Sequence, residues 1–194
     1  MEIGATKAVQ DRLKTTKIEE SKGASLVFCW DTHLTKIKGR NVLFIVNASN
    51  RYTIAMTDIE PRNWNYYTMY IRSVIHGVMQ EMGYSEDQIG QYFKMSGDTT
   101  VTKTHGRKSV GGINRMVMDA QYFGKKLEKE AKYQWKLSEY LNRYICQPEG
   151  FDAYGYPSEL FKLDMERLGI VTKRKPAKVI DFAQYIENNR GTND

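Results

Sequence analysis

The sequence predicts a single α+β domain, in which an antiparallel β-meander of about four to five strands is packed by helices and followed by a helical C-terminal extension. Short apolar or alternating runs separated by turn-forming residues fill the stretch 26–57, which is typical of a meander. From residue 58 onward, apolar residues recur at spacings of three and four, as on one face of a helix. The chain has 194 residues, 41% hydrophobic and 27% charged, which is typical of one soluble globular domain.

The N-terminal part divides into an opening segment and the meander. Residues 1–25 are predicted to have little order apart from a short helix over 5–13. Four short runs then predict strands at 26–30, 34–38, 42–47 and 52–57. The reversals at 39–41 and 48–50 are short, so neighbouring strands should pair antiparallel. The continuously apolar run 43–46 should lie at the centre of the sheet.

Helices dominate the rest of the chain. Pro61 opens a predicted helix that ends at Gly83, and Ser85 is the expected N-cap of a second helix. Val101 marks a short strand before a third helix. Further helices are predicted at 125–145, 159–168 and 179–186, the last after a basic linker at 173–176. This pattern predicts an α+β core domain at 1–124 and a helical extension, packed on or beside it, at 125–194.

Charge and composition favour an acidic partner, with nucleic acid first. The net charge is +6, the pI is near 9.1, and the chain holds 13 tyrosines against 7 phenylalanines. Tyrosine suits interfaces and nucleic-acid surfaces because it joins apolar area to a hydrogen-bonding tip. No run is long enough to span a membrane, and no signal-peptide pattern opens the chain. Two distant cysteines at no metal spacing favour a reducing cytoplasm, here that of a bacterial host.

The basic stretch 100–115 is the strongest candidate for anion binding. If Ser109 is the N-cap, the helix that follows begins with unpaired backbone N–H groups and a partial positive charge. Four neighbouring side chains could add to this site for a phosphate or carboxylate: Lys103, His105, Arg107 and Lys108. Gly111 and Gly112 cost the helix about 1 kcal/mol each, which close approach to a ligand would offset. The favoured alternative is that the glycines let the helix pack tightly on a sheet while the cations are solvated.

Two further groups of residues are candidates for chemistry or binding. Asp31 or His33 could act as a general base beside Trp30, although a turn in which Asp31 or Thr32 hydrogen-bonds the backbone is the preferred interpretation. Arg51 could clamp a phosphate, and Tyr52 or Trp30 could stack on a base. Asn114 completes the polar set, and its usual role would be local capping.

Motifs of the common enzyme classes are absent from the sequence. There is no Walker loop, dinucleotide fingerprint, nucleophile elbow or H-E-x-x-H zinc motif. The three histidines are dispersed, so we predict no metal site and no cofactor. These absences leave a metal-independent nuclease possible, because its catalytic residues can be scattered along the chain.

Three segments resemble a family of uncharacterised bacterial proteins over about residues 5–119. They are Phe28-Cys29-Trp30-Asp31-Thr32-His33-Leu34, then Asn47 with Asn50-Arg51-Tyr52, then Thr102-Lys103-Thr104 with Arg107-Lys108-Ser109-Val110-Gly111 and Asn114. The family pattern is F-x-W-H-x-N-L, N…[TN]-R-Y and K-T-x-x-R-S-x-x-G-x-x-N. This sequence departs from it, since Asp31 replaces the histidine and His33 the asparagine. The resemblance implies a plasmid or prophage setting, in which anti-defence factors such as anti-CRISPR inhibitors occur.

The leading functional hypothesis is a basic mobile-element protein that binds nucleic acid, RNA being favoured, and thereby interferes with a host ribonucleoprotein nuclease. Its contacts would be Lys103, Arg107, Lys108 and Arg51 on phosphates, with Tyr52 or Trp30 stacking. The alternative is a ribonuclease-like enzyme that uses His105 or His33 with Arg107. The second alternative is a protein-binding module that acts through the tyrosine-rich C-terminal region 133–156.

Overall fold

The computed structural model describes residues 1–15, 18–124 and 126–172, and within them it is an α+β fold built on one five-stranded sheet. The strands are β1 (Glu2–Ala5), β2 (Cys29–Ile37), β3 (Arg40–Asn47), β4 (Thr53–Thr57) and β5 (Thr100–Thr102). Their order across the sheet is β4-β3-β2-β1-β5. The predicted fold class is therefore confirmed. The predicted linker at 173–176 and the predicted helix at 179–186 lie outside the described residues.

β1 makes the sheet mixed rather than purely antiparallel. It pairs in parallel with both β2 and β5, and its side chains are buried. The prediction of little order over 1–25 was therefore wrong at its start, although the predicted helix is present as α1 (Lys7–Leu13). A four-residue strand that contains Gly4 carries too little alternation to be recognised, and its partners are distant in sequence.

The meander β2-β3-β4 is antiparallel, as predicted. The predicted strands at 26–30 and 34–38 are, however, one continuous strand, β2, preceded by a 3-10 turn over Leu26–Phe28. The expected turn at Asp31 is absent because tertiary partners satisfy the polar side chains there. The Thr32 hydroxyl donates to the Gly4 carbonyl oxygen at 2.8 Å and accepts from the Tyr67 hydroxyl at 2.7 Å.

The described residues form seven α-helices. After α1 these are α2 (Pro61–Asn65), α3 (Tyr67–Glu81), α4 (Glu86–Ser96), α5 (Gly106–Gln121), α6 (Trp135–Asn142) and α7 (Pro157–Arg167). Pro61 occupies the first turn of α2, and Ser85 caps α4 in a reciprocal capping box with Gln88, so both predicted helix starts are confirmed. None of these helices is long and apolar enough to cross a membrane.

The helix predicted over 125–145 is present only as α6. Residues 126–134 are not helical, and 131–134 run beside β4, the edge strand of the sheet. The Thr57 N–H donates to the Lys132 carbonyl oxygen at 2.8 Å, and the Gln134 N–H donates to the Ala55 carbonyl oxygen at 2.9 Å. An edge strand offers unpaired backbone N–H and C=O groups. Hydrogen bonds to these groups favour an extended conformation here over the helix that the local pattern predicts.

Two apolar layers flank the sheet. One face carries Ile3, Trp30 and Ile45, which share a cluster with residues of α3, α4 and α7. On the other face, Phe44 and Val46 pack with residues of α5 and α6. The division into domains at 1–124 and 125–194 stays a prediction.

The hydroxyl group of Tyr92 is a buried hydrogen-bonding group whose removal should destabilise the fold. Tyr92 is fully buried. Its hydroxyl accepts from the Trp30 indole N–H at 2.9 Å and donates to the Val27 carbonyl oxygen at 2.7 Å. Tyr92→Phe leaves the buried Trp30 indole N–H unpaired and removes one of the two donors to the Val27 carbonyl oxygen, which keeps the Asn47 amide. We therefore expect it to lower the free energy of unfolding by about 2 kcal/mol in urea titrations. The matched control is Tyr84→Phe, because the Tyr84 hydroxyl is buried without a hydrogen-bond partner among the described residues. Equal losses in the two variants would contradict this assignment.

Candidate functional site

The start of α5 already holds a carboxylate from the chain itself. The N-cap is His105 and the helix begins at Gly106, so the prediction of Ser109 as N-cap was wrong. Ser109 lies inside the first turns, where its hydroxyl donates to the Asp31 carboxylate. That carboxylate, fully buried, also accepts the His105 backbone N–H at 3.2 Å. Asp31 therefore occupies the place where the sequence predicted a bound phosphate.

The imidazole of His105 joins two carboxylates in the same cluster. Its Nδ1 lies 2.7 Å from Asp31 Oδ1 and its Nε2 lies 3.0 Å from Glu2 Oε2. Burial lowers the pKa of His105, but the hydrogen bonds and charges of Asp31 and Cys29 outweigh it and raise the pKa to about 10. Burial raises the pKa of Glu2, yet hydrogen bonds from Ser21, the Lys22 backbone N–H and His105 bring it below the ordinary value. His105 is therefore a cation held between two anions.

Strand register brings these groups together. Glu2 lies opposite Cys29, and Gly4 lies opposite Asp31, so their side-chain positions share one face of the sheet. A Cβ atom on Gly4 would overlap the Asp31 carboxylate and lie 3.0 Å from the Thr104 Cα atom, which explains the glycine. The ligand-type atoms of Glu2, Cys29 and His105 lie within 4.8 Å of one another, so these three residues could hold a metal ion.

The two histidines of the enzyme hypothesis are not presented to a substrate together. The side chain of His105 is 3% exposed and that of Asp31 is 0% exposed. His33 lies elsewhere on β2, where its Nδ1 is 3.2 Å from the Thr6 hydroxyl and burial lowers its pKa. Catalysis by either histidine has no support from this geometry.

A second constellation begins at the turn between β3 and β4. The buried Asn47 side chain accepts the backbone N–H groups of Ser49 and Asn50, and its amide donates to the Val27 carbonyl oxygen at 2.9 Å. Asn50, also buried, donates to Asp164 Oδ2 at 2.9 Å. These contacts hold Arg51 at φ 63°, a left-handed conformation that is unfavourable for a residue with a Cβ and recurs at functional sites.

The Arg51 side chain lies against the backbone of α5 at Gly112. A Cβ atom added to Gly112 would lie 2.6 Å from an Arg51 guanidinium nitrogen, so only glycine permits this approach. Gly111, in contrast, has no heavy atom within 4 Å of its Cβ position. Within the described part of the chain, the guanidinium has no hydrogen-bond or ion-pair partner.

A cavity of about 500 Å³ opens over Arg51, a volume typical of small-ligand sites. Arg115 and Gly112 contribute from α5, and the exposed rings of Tyr144 and Tyr154 stand at its margin. Arg115 pairs with Asp119 at 3.2 Å on the surface of α5. Cys146 also lines the cavity, and burial raises the pKa of its thiol, partly offset by the charge of Arg51. The cavity thus combines guanidinium groups with aromatic rings.

Cations continue from the cavity along α5. Lys108 precedes Gly112 by one turn, and its ammonium donates to the Pro148 carbonyl oxygen at 3.2 Å. Arg107 is exposed at the start of the helix. The 16 residues of α5 span about 24 Å, and its cations are Arg107 and Lys108 in the first turn and Arg115, which pairs with Asp119.

The remaining predicted residues are scattered. Trp30 is 1% exposed and Tyr52 8% exposed, so neither ring can stack on a base. Lys103 pairs with Glu20 at the surface, and Asn114 is exposed on α5.

Sequence reasoning missed several residues of both constellations. In the buried cluster it missed Glu2 and Cys29, and around the cavity it missed Arg115, Tyr144 and Tyr154. Tyr144 and Tyr154 lie in the tyrosine-rich region 133–156, which was predicted as a protein-binding face, and Arg115 ends the basic stretch 100–115. The pairing of β1 and the packing of residues 144–154 against α5 both depend on partners that are distant in sequence.

The contrast between the two α5 glycines is a testable property of this arrangement. Gly111→Ala should stabilise the protein by about 1 kcal/mol through helix propensity alone. Gly112→Ala gains the same propensity but must displace the Arg51 guanidinium, so its net stabilisation should be smaller. Urea denaturation of both variants measures the difference, and identical stabilisation would show that Arg51 does not rest on α5.

Comparison with known proteins identifies the family but no activity. Neither the curated proteins nor the solved structures contain a match to this chain. The model of one family, described as a domain of unknown function (DUF6933), matches residues 2–160. This match includes β1, the start of α5 and the turn that carries Arg51. The chain therefore belongs to the DUF6933 family.

Proposed function

We propose that this protein binds single-stranded RNA, with one nucleotide in the Arg51 cavity and the adjoining phosphates on α5. The observation that carries this proposal is the Arg51 guanidinium, which has no hydrogen-bond or ion-pair partner among residues 1–15, 18–124 and 126–172. It lines a cavity of about 500 Å³ beside two exposed tyrosines. The left-handed backbone conformation of Arg51 costs stability. An anionic ligand would offset that cost.

The cations around the cavity suit a phosphate backbone. Lys108, Gly112, Arg115 and Asp119 follow one side of α5 at spacings of three and four, so Lys108 and Arg115 flank Arg51. Arg107 extends the positive charge toward the helix start. Guanidinium groups bind phosphate oxygens in pairs, and several such contacts supply affinity without sequence preference.

The aromatic rings favour an unpaired strand over a duplex. Tyr154 is 70% exposed and Tyr144 is 42% exposed, which leaves ring surface available to a base. Unstacked bases bind by stacking on tyrosine and arginine planes, and single-stranded RNA offers such bases readily. The proposal replaces Tyr52 and Trp30, the stacking residues expected from the sequence, with Tyr144 and Tyr154.

Arg51→Ala is the central test of this proposal. Fluorescence anisotropy with a labelled single-stranded RNA should show an affinity 10- to 100-fold weaker, since a charged hydrogen bond contributes about 1.5–3 kcal/mol. The slope of log K against log salt should decrease by about 0.7 for the lost phosphate contact. Arg62→Ala is the matched control, because it removes the same charge from an exposed pair with Glu60 on α2.

Three results would contradict RNA binding at the cavity. The native protein could fail to bind RNA at low salt, or the two arginine variants could lose affinity equally. Tighter binding to duplex RNA than to single strands would also contradict it. In the first case, capture of a protein partner through the exposed rings becomes the next test.

Tyr154 provides a separate test of stacking. Tyr154→Ala should weaken RNA binding about 5- to 100-fold without changing the salt slope, because stacking contributes about 1–3 kcal/mol per base and involves no counterion. Tyr154→Phe keeps the ring and should bind like the native protein. A loss of the same size in the control Tyr66→Ala, a tyrosine 66% exposed and remote in sequence, would mean that the effect is not local to the cavity.

Inhibition of a host ribonucleoprotein nuclease and the plasmid or prophage setting stay predictions from the resemblance. RNA binding is the step through which the proposed inhibition would act.

A further inference from the structure

We propose that Glu2, Cys29 and His105 form a binding site for one zinc ion. A carboxylate oxygen, a sulfur and an imidazole nitrogen lie within 4.8 Å of one another, and all three residues are buried. These are the three donor types that zinc takes in proteins. The mixture of a soft sulfur with nitrogen and oxygen selects zinc over calcium or magnesium, which take oxygen alone.

The sheet builds this site from three distant segments of the chain. Glu2 on β1 and Cys29 on β2 are direct partners in the parallel register, so their side chains leave the same face side by side. β5 pairs with the opposite edge of β1, and His105 follows it by three residues. The sequence shows no zinc motif because the three ligands are far apart in sequence.

The separation of the nitrogen and oxygen donors is close to that in a zinc site. Two ligand atoms at about 2.0 Å from a tetrahedral zinc ion lie about 3.3 Å apart. His105 Nε2 and Glu2 Oε2 lie 3.0 Å apart. Cys29 Sγ lies 3.4 Å from the Ser25 carbonyl oxygen, a weak hydrogen bond that its thiolate would give up. A zinc ion would take the place of the proton between His105 and Glu2, and a water molecule would be the fourth ligand.

Zinc binds the neutral imidazole of a histidine and the thiolate of a cysteine, so zinc binding at this site would be weaker at low pH.

Asp31 acts on this site as a positioning residue. Its Oδ1 lies 2.7 Å from His105 Nδ1, and Ser109 and the His105 backbone N–H donate to the same carboxylate. A carboxylate on the far nitrogen of a ligand histidine fixes the ring and leaves Nε2 for the metal. The Asp31–His105 contact has this arrangement without any movement of the two side chains.

Cobalt titration tests the site directly on the full-length chain. The EDTA-stripped protein should bind one Co²⁺ per chain and show a thiolate-to-cobalt charge-transfer band, which Zn²⁺ then removes. Cys29→Ser should abolish the band. Cys146→Ser, the control at the other buried free cysteine, should keep it. Asp31→Asn should keep the band but weaken zinc affinity 10- to 100-fold in a chelator competition.

The unsubstituted protein alone can disprove the zinc site, so the test does not depend on whether a variant folds. No charge-transfer band with excess Co²⁺, or a band that survives in Cys29→Ser, would overturn the zinc site. Unchanged zinc affinity in Asp31→Asn would remove Asp31 from it. None of these measurements involves RNA, so the test of the zinc site is independent of the test of RNA binding.

Discussion

The structure depends on one buried ionic contact, in which His105 joins Asp31 and Glu2. Glu2 belongs to β1, Asp31 to β2, and His105 caps α5, so a single imidazole holds three elements in place. Removing one partner from such a contact leaves an uncompensated buried charge, which costs about 3–5 kcal/mol. Gly4 is part of the same constraint, because any side chain there would occupy the space of the Asp31 carboxylate.

The position of α5 connects this contact to the proposed binding surface. Because Asp31 and His105 fix where α5 begins, they also fix where Gly112 faces the turn that carries Arg51. The two buried asparagines, Asn47 and Asn50, fix that turn from the other side. The cavity therefore lies between two parts of the molecule that are each held by buried polar contacts, a rigid support that a binding site requires.

Local patterns predicted those features whose causes are local. The capping box of Ser85, the first-turn position of Pro61 and the antiparallel meander all follow from short-range chemistry. The local pattern at Ser109 resembled that of an N-cap as closely as the pattern at Ser85 did. Ser109 nevertheless lies inside α5, where its hydroxyl donates to Asp31. The helical spacing over 125–145 likewise did not decide the structure of 131–134, where the open edge of β4 offered backbone partners.

The sequence by itself determined the α+β class, the meander, most helices and the basic character of the stretch that begins α5. It also indicated Asp31, His105, Arg51 and Gly112 as residues of interest, but it did not predict which of them are in contact. Only the tertiary structure decided that Asp31 faces His105 while Arg51 lies on Gly112. The physical reason is that both contacts join segments more than 60 residues apart, and burial decides their partners. Hydrophobic periodicity carries no information about which polar groups are buried together.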